Sequence, residues 1–246
     1  MWTLIFIAFG LLTFAHFAPF PFLLDWTSRG VAMWRVPAPR GGAADVVYLT
    51  FDDGPNPEAT PALLDVLARE GARATFFVID RHLTPGTAPI VARMFAEGHG
   101  VALHSHTRAL MVLPAEELVR ALDAAADRME ALTGHRPCAA FRPHGGGRSR
   151  SMMRALRLSG RRLVGWGVML WDWDWFRKPS AKRLVPRILS RARPGSIVVM
   201  HDGHHEDPRA DRQYTVETVA ELLPALREKG MTFGSICDVV GNGAGL

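Results

Sequence analysis

Residues 46–55 read VVYLTFDDGP, and this stretch decides the fold class of the chain. The β-branched, aromatic and aliphatic residues at its start predict a short buried strand over 46–51. After a loop, residues 60–71, TPALLDVLAREG, have the apolar spacing of an amphipathic helix that ends at Gly71. A buried strand followed by a helix is the repeating unit of a parallel α/β fold.

The same alternation continues to the end of the chain. Further strands are predicted at 74–79, 101–104, 139–142, 162–168, 196–201 and 232–236. Helices are predicted between them at 88–98, 114–134, 151–160, 180–192 and 215–230. Such alternation predicts a parallel sheet with right-handed crossovers, and it fits both a closed or nearly closed barrel and an open doubly wound sheet.

The N-terminal region is the most apolar part of the chain. Among 246 residues, of which 48% are hydrophobic, residues 2–24 contain no Asp, Glu, Lys or Arg. About 20 apolar residues can cross a bilayer as a helix. We predict a single-pass membrane anchor over 1–24 and a linker over 25–44. A cleaved signal peptide and a buried helix are the alternatives, but no basic residue precedes the run and no A-x-A-like site ends it.

The charge pattern bears on orientation and partners. Arg29, Arg35 and Arg40 follow the anchor, and the positive-inside tendency would place them in the cytoplasm. The resemblance described below implies an extracytoplasmic domain instead, so the side of the membrane stays open. The net charge is +5, but the arginines are scattered and no nucleic-acid motif accompanies them. We therefore expect a membrane surface or a glycan as neighbour, and no nucleic acid.

Only two cysteines occur, Cys138 and Cys237. Without a CxxC pair they exclude a cysteine-based zinc site. They are compatible with one disulfide, but we expect two buried thiols.

Polar residues collect where the predicted strands end, which is where active sites of βα folds form. These stretches are TFDDGP at 50–55, HSHTR at 104–108, FRPHGGGRS at 141–149, WGVMLWDWDW at 166–175 and MHDGHH at 200–205. Two histidines at i and i+2 in HSHTR look like the start of a metal site. Together these stretches predict a catalytic cluster rather than a set of solvated loops.

The motifs resemble those of the NodB-type polysaccharide deacetylases, carbohydrate esterase family 4. The resemblance rests on TFDDGP, the Arg-Pro of FRPHGG, the Asp-Trp that begins six residues after Trp166, and IVVMHDG at 197–203. It defines a deacetylase domain over 45–240. It implies a distorted (β/α)7 barrel of parallel strands, preceded here by the N-terminal hydrophobic helix. It also implies a hydrolase that removes N-acetyl groups from the amino sugars of a polysaccharide or glycan.

The resemblance also implies a divalent metal, zinc in many members, and residues to hold and use it. Asp53 and His104 match metal ligands, and Asp52 matches the general base. Adjacent strand residues point to opposite faces, so Asp52 and Asp53 can serve one site only because the strand ends at Gly54. A metal would polarise the amide carbonyl, and Asp52 would take a proton from the attacking water.

Further roles follow from the same resemblance. Arg142 would pair with the base, His201 would protonate the leaving amine, and Asp172 would tune that acid. Trp173 and Trp175 match a sugar-binding wall, and they fit core aromatics equally well.

The chain departs from the family pattern at several positions. Arg108 stands where the family has its second metal histidine, and a guanidinium cannot ligate a cation. The family's Arg-Pro-Pro-Tyr-Gly appears with His144 and Gly145 in place of the second Pro and the Tyr. A backbone N–H near Gly145 would still be available to stabilise the oxyanion. Met169 replaces a common Asp.

Three hypotheses follow for the metal site. His106 or His144 replaces the lost ligand. Alternatively, the site works with a weakly bound metal or none, and Arg108 holds an anionic group of the substrate. As a third alternative, the protein is a membrane-tethered, catalytically degenerate glycan-binding relative. Because the acidic, arginine and histidine residues of the other motifs are all present, we favour the metal-dependent hydrolase.

Overall fold

The computed structural model describes residues 3–7, 30–37, 45–169 and 178–241. The strands are β1 Ala32–Met33, β2 Asp45–Asp52, β3 Thr75–Ile79, β4 Gly100–His104, β5 Ala140–Arg142, β6 Arg162–Val164, β7 Val168–Met169, β8 Ile197–His201 and β9 Met231–Phe233. The helices that follow β2 are α1 Ala59–Arg69, α2 Ala88–Ala96, α3 Ala115–Thr133, α4 Arg150–Leu158, α5 Ala181–Arg191, α6 Gln213–Glu228 and α7 Ile236–Val240. The predicted alternation of strands and helices is confirmed.

The strands pair in the order β1-β6-β5-β4-β3-β2-β8-β7, and β9 joins β2. Each of these strand pairs is parallel. The first residues of β2 pair with β9, and its second half pairs with β8. The register sets Asp52 directly opposite His201. Two candidate catalytic residues therefore end neighbouring strands.

The sheet curls into a half-barrel. Its ends approach each other through an antiparallel bridge between Arg35 and Ser196 and a 2.9 Å hydrogen bond from the Val36 N–H to the Gly195 carbonyl. The predicted parallel α/β fold is confirmed, and within the described residues it is an open, curled sheet.

The predicted strand over 162–168 is wrong in its middle. Residues Arg162–Val164 pair with β5 and β1, whereas Val168–Met169 pair with β8 at the far end of the sheet. The break contains Gly165, where a Cβ would overlap the ring of Trp34. The aromatic side chain therefore occupies the place where a continuous strand would need its own side chain.

Two other boundaries also differ from the prediction. The last strand ends at Phe233 rather than at residue 236, because the Ser235 hydroxyl accepts a 3.1 Å hydrogen bond from the Cys237 N–H and starts α7. The predicted linker over 25–44 contains β1, which pairs Ala32 with Leu163.

The structure describes little of the predicted anchor over 1–24. Residues 3–7 are helical and exposed, and the rest of that prediction lies outside the described residues. In the part of the chain that the structure describes, no helix has the length and apolar character needed to span a bilayer.

Alternation along β2 separates two apolar layers. Leu49 and Phe51 pack in the cluster beneath the helices, whereas Tyr48 belongs to the cluster on the inner face of the curled sheet. Since successive strand side chains point to opposite faces, Thr50 and Asp52 share the inner face with Tyr48. The inner face is thus apolar at its base and polar at the carboxyl ends of the strands.

Cys138 and Cys237 form a disulfide with a Cα–Cα distance of 5.6 Å, so the expectation of two buried thiols is wrong. The Thr75 hydroxyl accepts a 2.8 Å hydrogen bond from the Ile236 N–H and places α7 against the sheet. This contact brings together two cysteines that are 99 residues apart in sequence.

Candidate active site

A cleft of about 880 Å³ opens at the carboxyl ends of the strands. Residues from several predicted motifs line it, namely Asp52, Asp53, His104, His106, Arg108, His144, Gly145, Trp166, Met169 and His201. The cleft therefore combines the stretches that the sequence placed at separate strand ends. The predicted Asp172, Trp173 and Trp175 lie outside the described residues.

Asp52 is bound to a fully buried arginine. The Nη1 atom of Arg142 donates to Asp52 Oδ1 at 2.6 Å and to the Thr50 hydroxyl at 2.8 Å. Its Nε and Nη2 atoms donate to the carbonyls of Val164 and Gly165 at 3.0 and 2.9 Å. Charged, fully hydrogen-bonded groups of this kind are strongly oriented, so the Asp52 carboxylate has a fixed direction at the cleft floor.

Asp53 reaches the same site because the strand ends before it. Its φ is 69°, in the left-handed region that non-glycine residues rarely adopt. Its Oδ1 atom is buried and forms no hydrogen bond within the described residues, although it lies 3.2 Å from Nε2 of His104. Burial alone would raise the pKa of Asp53, but the His104 imidazole, with His201 and His144, lowers it below the usual range.

His104 is held in one orientation. Its Nδ1 atom donates a 2.7 Å hydrogen bond to the Arg142 carbonyl, and its Nε2 atom faces Asp53. A histidine whose other ring nitrogen is fixed in this way is the usual arrangement of a metal ligand.

His144 completes a group of three donors. One ligand atom each from Asp53, His104 and His144 lies within 4.8 Å of the others. Burial lowers the pKa of His144 to about 4, and the nearby His104 contributes, so its imidazole is neutral near pH 7. The backbone N–H of His144 donates a 2.8 Å hydrogen bond to the hydroxyl of Ser105, the residue after β4. This contact joins the loops that follow β4 and β5.

The other candidate replacement, His106, lines the cleft but lies outside this three-residue group. It is half-buried, and burial together with the charge of Arg81 lowers its pKa. His201 also lines the cleft from the end of β8.

Arg108 lies beside Gly145. Its Nη2 and Nε atoms are 2.8 and 3.1 Å from the point where a Cβ of residue 145 would be. Gly145 has a φ of 58° and no side chain, and both properties leave room for the guanidinium.

Asp202 is a site residue that the sequence reasoning missed. It is fully buried, and its carboxylate accepts a hydrogen bond from the Thr60 hydroxyl and fills the space where Gly54 would have a Cβ. The neighbouring Gly203 packs against the Asp53 carbonyl so closely that a Cβ there would overlap it. The sequence signal for this residue was the Asp-Gly pair that follows His201. Asp202 packs against Gly54 and Gly203 packs against Asp53, and these contacts hold the loops after β2 and β8 together.

Comparison with known proteins identifies this arrangement. Residues 40–164 match the family model described as polysaccharide deacetylase. A chitooligosaccharide deacetylase of Rhizobium leguminosarum bv. trifolii is 34% identical over 213 residues, which cover 82% of this chain and 95% of that protein. A peptidoglycan-N-acetylglucosamine deacetylase of Bacillus cereus is 28% identical over 216 residues, with 86% and 93% covered.

Comparison with solved structures leads to the same family as the sequence relatives. A crystal structure of a peptidoglycan N-acetylglucosamine deacetylase superposes with a TM-score of 0.73 at 27% identity, covering 87% of this chain and 95% of that one. A carbohydrate esterase family 4 pseudoenzyme from Bacillus anthracis superposes with a TM-score of 0.69, covering 86% and 69%, but at 23% identity that likeness shows the fold alone. The chain therefore belongs to the polysaccharide deacetylase family and is a hydrolase of that class.

Proposed function

We propose that this chain removes N-acetyl groups from amino-sugar residues of a glycan, such as a chitooligosaccharide or the N-acetylglucosamine of peptidoglycan. Asp53, His104 and His144 would hold one divalent metal, and we propose zinc. The observation that carries the proposal is the three-donor group beside the buried Asp52–Arg142 pair.

The residues present fit a metal. Asp53 has a buried oxygen that forms no hydrogen bond among the described residues, His104 presents Nε2, and His144 is a neutral imidazole at pH 7. Two histidines and one carboxylate are a donor set that catalytic zinc uses, with a position left for water or substrate. When bound, a divalent metal polarises a carbonyl and lowers the pKa of water.

Asp52 is the proposed general base. Arg142 donates a hydrogen bond to its carboxylate, and the Thr50 hydroxyl accepts one from the same guanidinium. The Asp52 carboxylate is therefore oriented before substrate binds. Such orientation lowers the entropic cost of bringing base and water together. Asp52 would accept the proton of the water that attacks the acetamido carbonyl.

His201 is the proposed general acid. Because it is the register partner of Asp52 on an adjacent strand, the two backbones are about 5 Å apart. The imidazole would protonate the nitrogen of the leaving amino sugar as the C–N bond breaks. The backbone N–H near Gly145 is the proposed donor to the oxyanion. Asp172 would tune His201, and Trp173 and Trp175 would form a sugar-binding wall; these three roles rest on the resemblance.

We also propose that the catalytic domain lies outside the cytoplasm, tethered by the predicted N-terminal anchor. The Cys138–Cys237 disulfide supports this location, because disulfides persist mainly in oxidising compartments. Protease accessibility of the domain in intact cells and in lysed cells tests it. Protection in intact cells and cleavage after lysis would contradict the proposal.

Release of free amine from N-acetylglucosamine oligomers by the zinc-loaded protein tests the function. Asp52→Asn should lower kcat by about 100-fold or more, since general bases contribute roughly 10²–10⁴. Asp45→Asn, at the exposed start of the same strand, is the matched control. If the wild type binds oligomers but releases no amine with any divalent metal, the protein is a glycan-binding relative and the proposal is wrong.

A further inference from the structure

Three departures from the family pattern lie together at one corner of the cleft. Arg108, His144 and Gly145 all line it. Arg108 fills the space that a side chain at 145 would need, and its charge contributes to the low pKa of His144. In the proposed site, the third ligand nitrogen therefore comes from the loop after β5, whereas the loop after β4 supplies a cation.

Arg108 has no acidic partner among the residues that the structure describes. Arg108 is exposed, and within the described ranges no carboxylate oxygen lies within 4.0 Å of its guanidinium. The two acidic residues at the cleft floor are engaged elsewhere, Asp52 with Arg142 and Asp53 with the proposed metal ligands. The corner therefore has a surplus positive charge next to the place where the acetamido group would react.

No described residue neutralises that charge, and an anionic group of the substrate would do so. A neutral amino sugar would leave the guanidinium facing water only, whereas an oxyanion would accept two parallel N–H donors from its planar fork. Gly145 matters here because a side chain at that position would overlap the guanidinium.

We propose that Arg108, lying over Gly145, forms a subsite for an anionic substituent, a carboxylate or a phosphate, on or next to the sugar that is deacetylated. This inference rests on the proposed function. It makes Arg108 a specificity-determining residue.

The test compares matched substrates on the zinc-loaded protein. One is an N-acetylated oligosaccharide bearing a sugar carboxylate, the second is its methyl ester, and the third bears a phosphate monoester at the same place. The variants are Arg108→Gln, Arg108→Lys and the control Arg120→Gln, which removes an exposed charge from α3 outside the cleft. The readouts are kcat/KM and the calorimetric Kd of the deacetylated acid and ester.

We expect wild type to prefer an anionic substrate over the ester by about tenfold, the size of one hydrogen bond to a charged group. Arg108→Gln should reduce this ratio to about one, mainly through KM, and Arg120→Gln should retain it. Arg108→Lys should keep part of it, since a point charge lacks the fork. The better of the acid and phosphate arms identifies the anion, and either supports the subsite.

An unchanged ratio in Arg108→Gln would overturn the inference. An equal loss on acid and ester would also overturn it, since Arg108 would then act on the reacting group. If wild type turns over no substrate, the proposed function fails instead, and the calorimetric difference between acid and ester still decides whether the subsite exists.

Discussion

Nη1 of Arg142 lies 2.6 Å from Oδ1 of Asp52, and both side chains are buried. The same guanidinium lies 3.9 Å from the centre of the Phe77 ring, so one face of it is covered by an aromatic surface. The pair ends two strands, β2 and β5, that are separated in the sheet by β3 and β4. It therefore spans the inner face of the curled sheet.

Breaking this pair should cost both stability and activity. Arg142→Met leaves the Asp52 carboxylate buried without a cation, and we expect the free energy of unfolding to fall by about 3–5 kcal/mol. Urea unfolding measures the loss. Arg142→Lys, which keeps a charge but not the fork, should lose less. A loss below about 1 kcal/mol for the Met variant would mean that Asp52 and Arg142 do not form a buried ion pair.

The metal ligands can be tested by comparing two histidines of one cleft. His144→Ala should weaken zinc binding by at least about 100-fold, since even residues that only orient a ligand are worth 10–100-fold. His106→Ala should bind zinc with an affinity near that of wild type. Calorimetric titration of zinc into the metal-free proteins measures both.

A double variant sharpens that comparison. The variant His144→Ala/Arg108→His has a histidine at position 108, where the family has its second metal ligand. It should recover much of the zinc affinity that His144→Ala loses. If His106→Ala proves to be the damaging change, the assignment of the third ligand is wrong.

Removal of the disulfide should destabilise the fold. In the chain-entropy picture, cross-linking residues 99 apart stabilises by roughly 4–5 kcal/mol, and measured losses are about 2–5 kcal/mol. In urea unfolding, the Cys138→Ser/Cys237→Ser variant should lose about 2–5 kcal/mol of unfolding free energy. Its zinc affinity should stay close to that of wild type. A reductant should lower the stability of wild type only, and an equal effect on both proteins would contradict this role.

Asp202 should make stability depend on pH. Burial raises its pKa to about 7, the charges of Asp53 and Asp52 add to this, and the Thr60 hydrogen bond opposes it. The folded protein therefore holds a proton that the unfolded chain releases near pH 4. As pH rises from about 4 to about 7, the free energy of unfolding should fall by roughly 3–4 kcal/mol and then level off.

Asp202→Asn keeps an acceptor for Thr60 and cannot titrate. In metal-free protein, its unfolding free energy should vary less between about pH 5 and pH 8 than that of wild type, by roughly 2–3 kcal/mol. Parallel pH profiles for the two proteins would show that Asp202 is ionised throughout.

Much of the site could be predicted because its residues are tied to strand ends. Asp52, His104, Arg142 and His201 close four strands, and the apolar pattern places each of them at or next to the end of a predicted strand. The parallel α/β class followed from the same alternation. What remained open was the third ligand, because sequence spacing gave His106 the same strand face as His104. The strand stops at His104, so that periodicity no longer applies to His106.

Other features depended on contacts between distant segments. The break at Gly165 arises from Trp34, and the disulfide arises from the packing of α7 on the sheet. Neither partner is near the other in sequence, so local propensity contains no information about either contact. The burial of Asp202 is of the same kind, since it depends on Thr60 from a different βα unit.

The packing of Gly54 against Asp202, and of Gly203 against Asp53, has a consequence for redesign. Because each glycine accommodates an atom from the opposite loop, the loop carrying the base and the loop carrying the acid cannot be swapped separately between relatives. A chimera that imports one loop alone should misplace the carboxylates even if every catalytic side chain is retained. Transplants of substrate preference into this scaffold should therefore leave that pair of loops untouched and recombine the rim formed after β4 and β5.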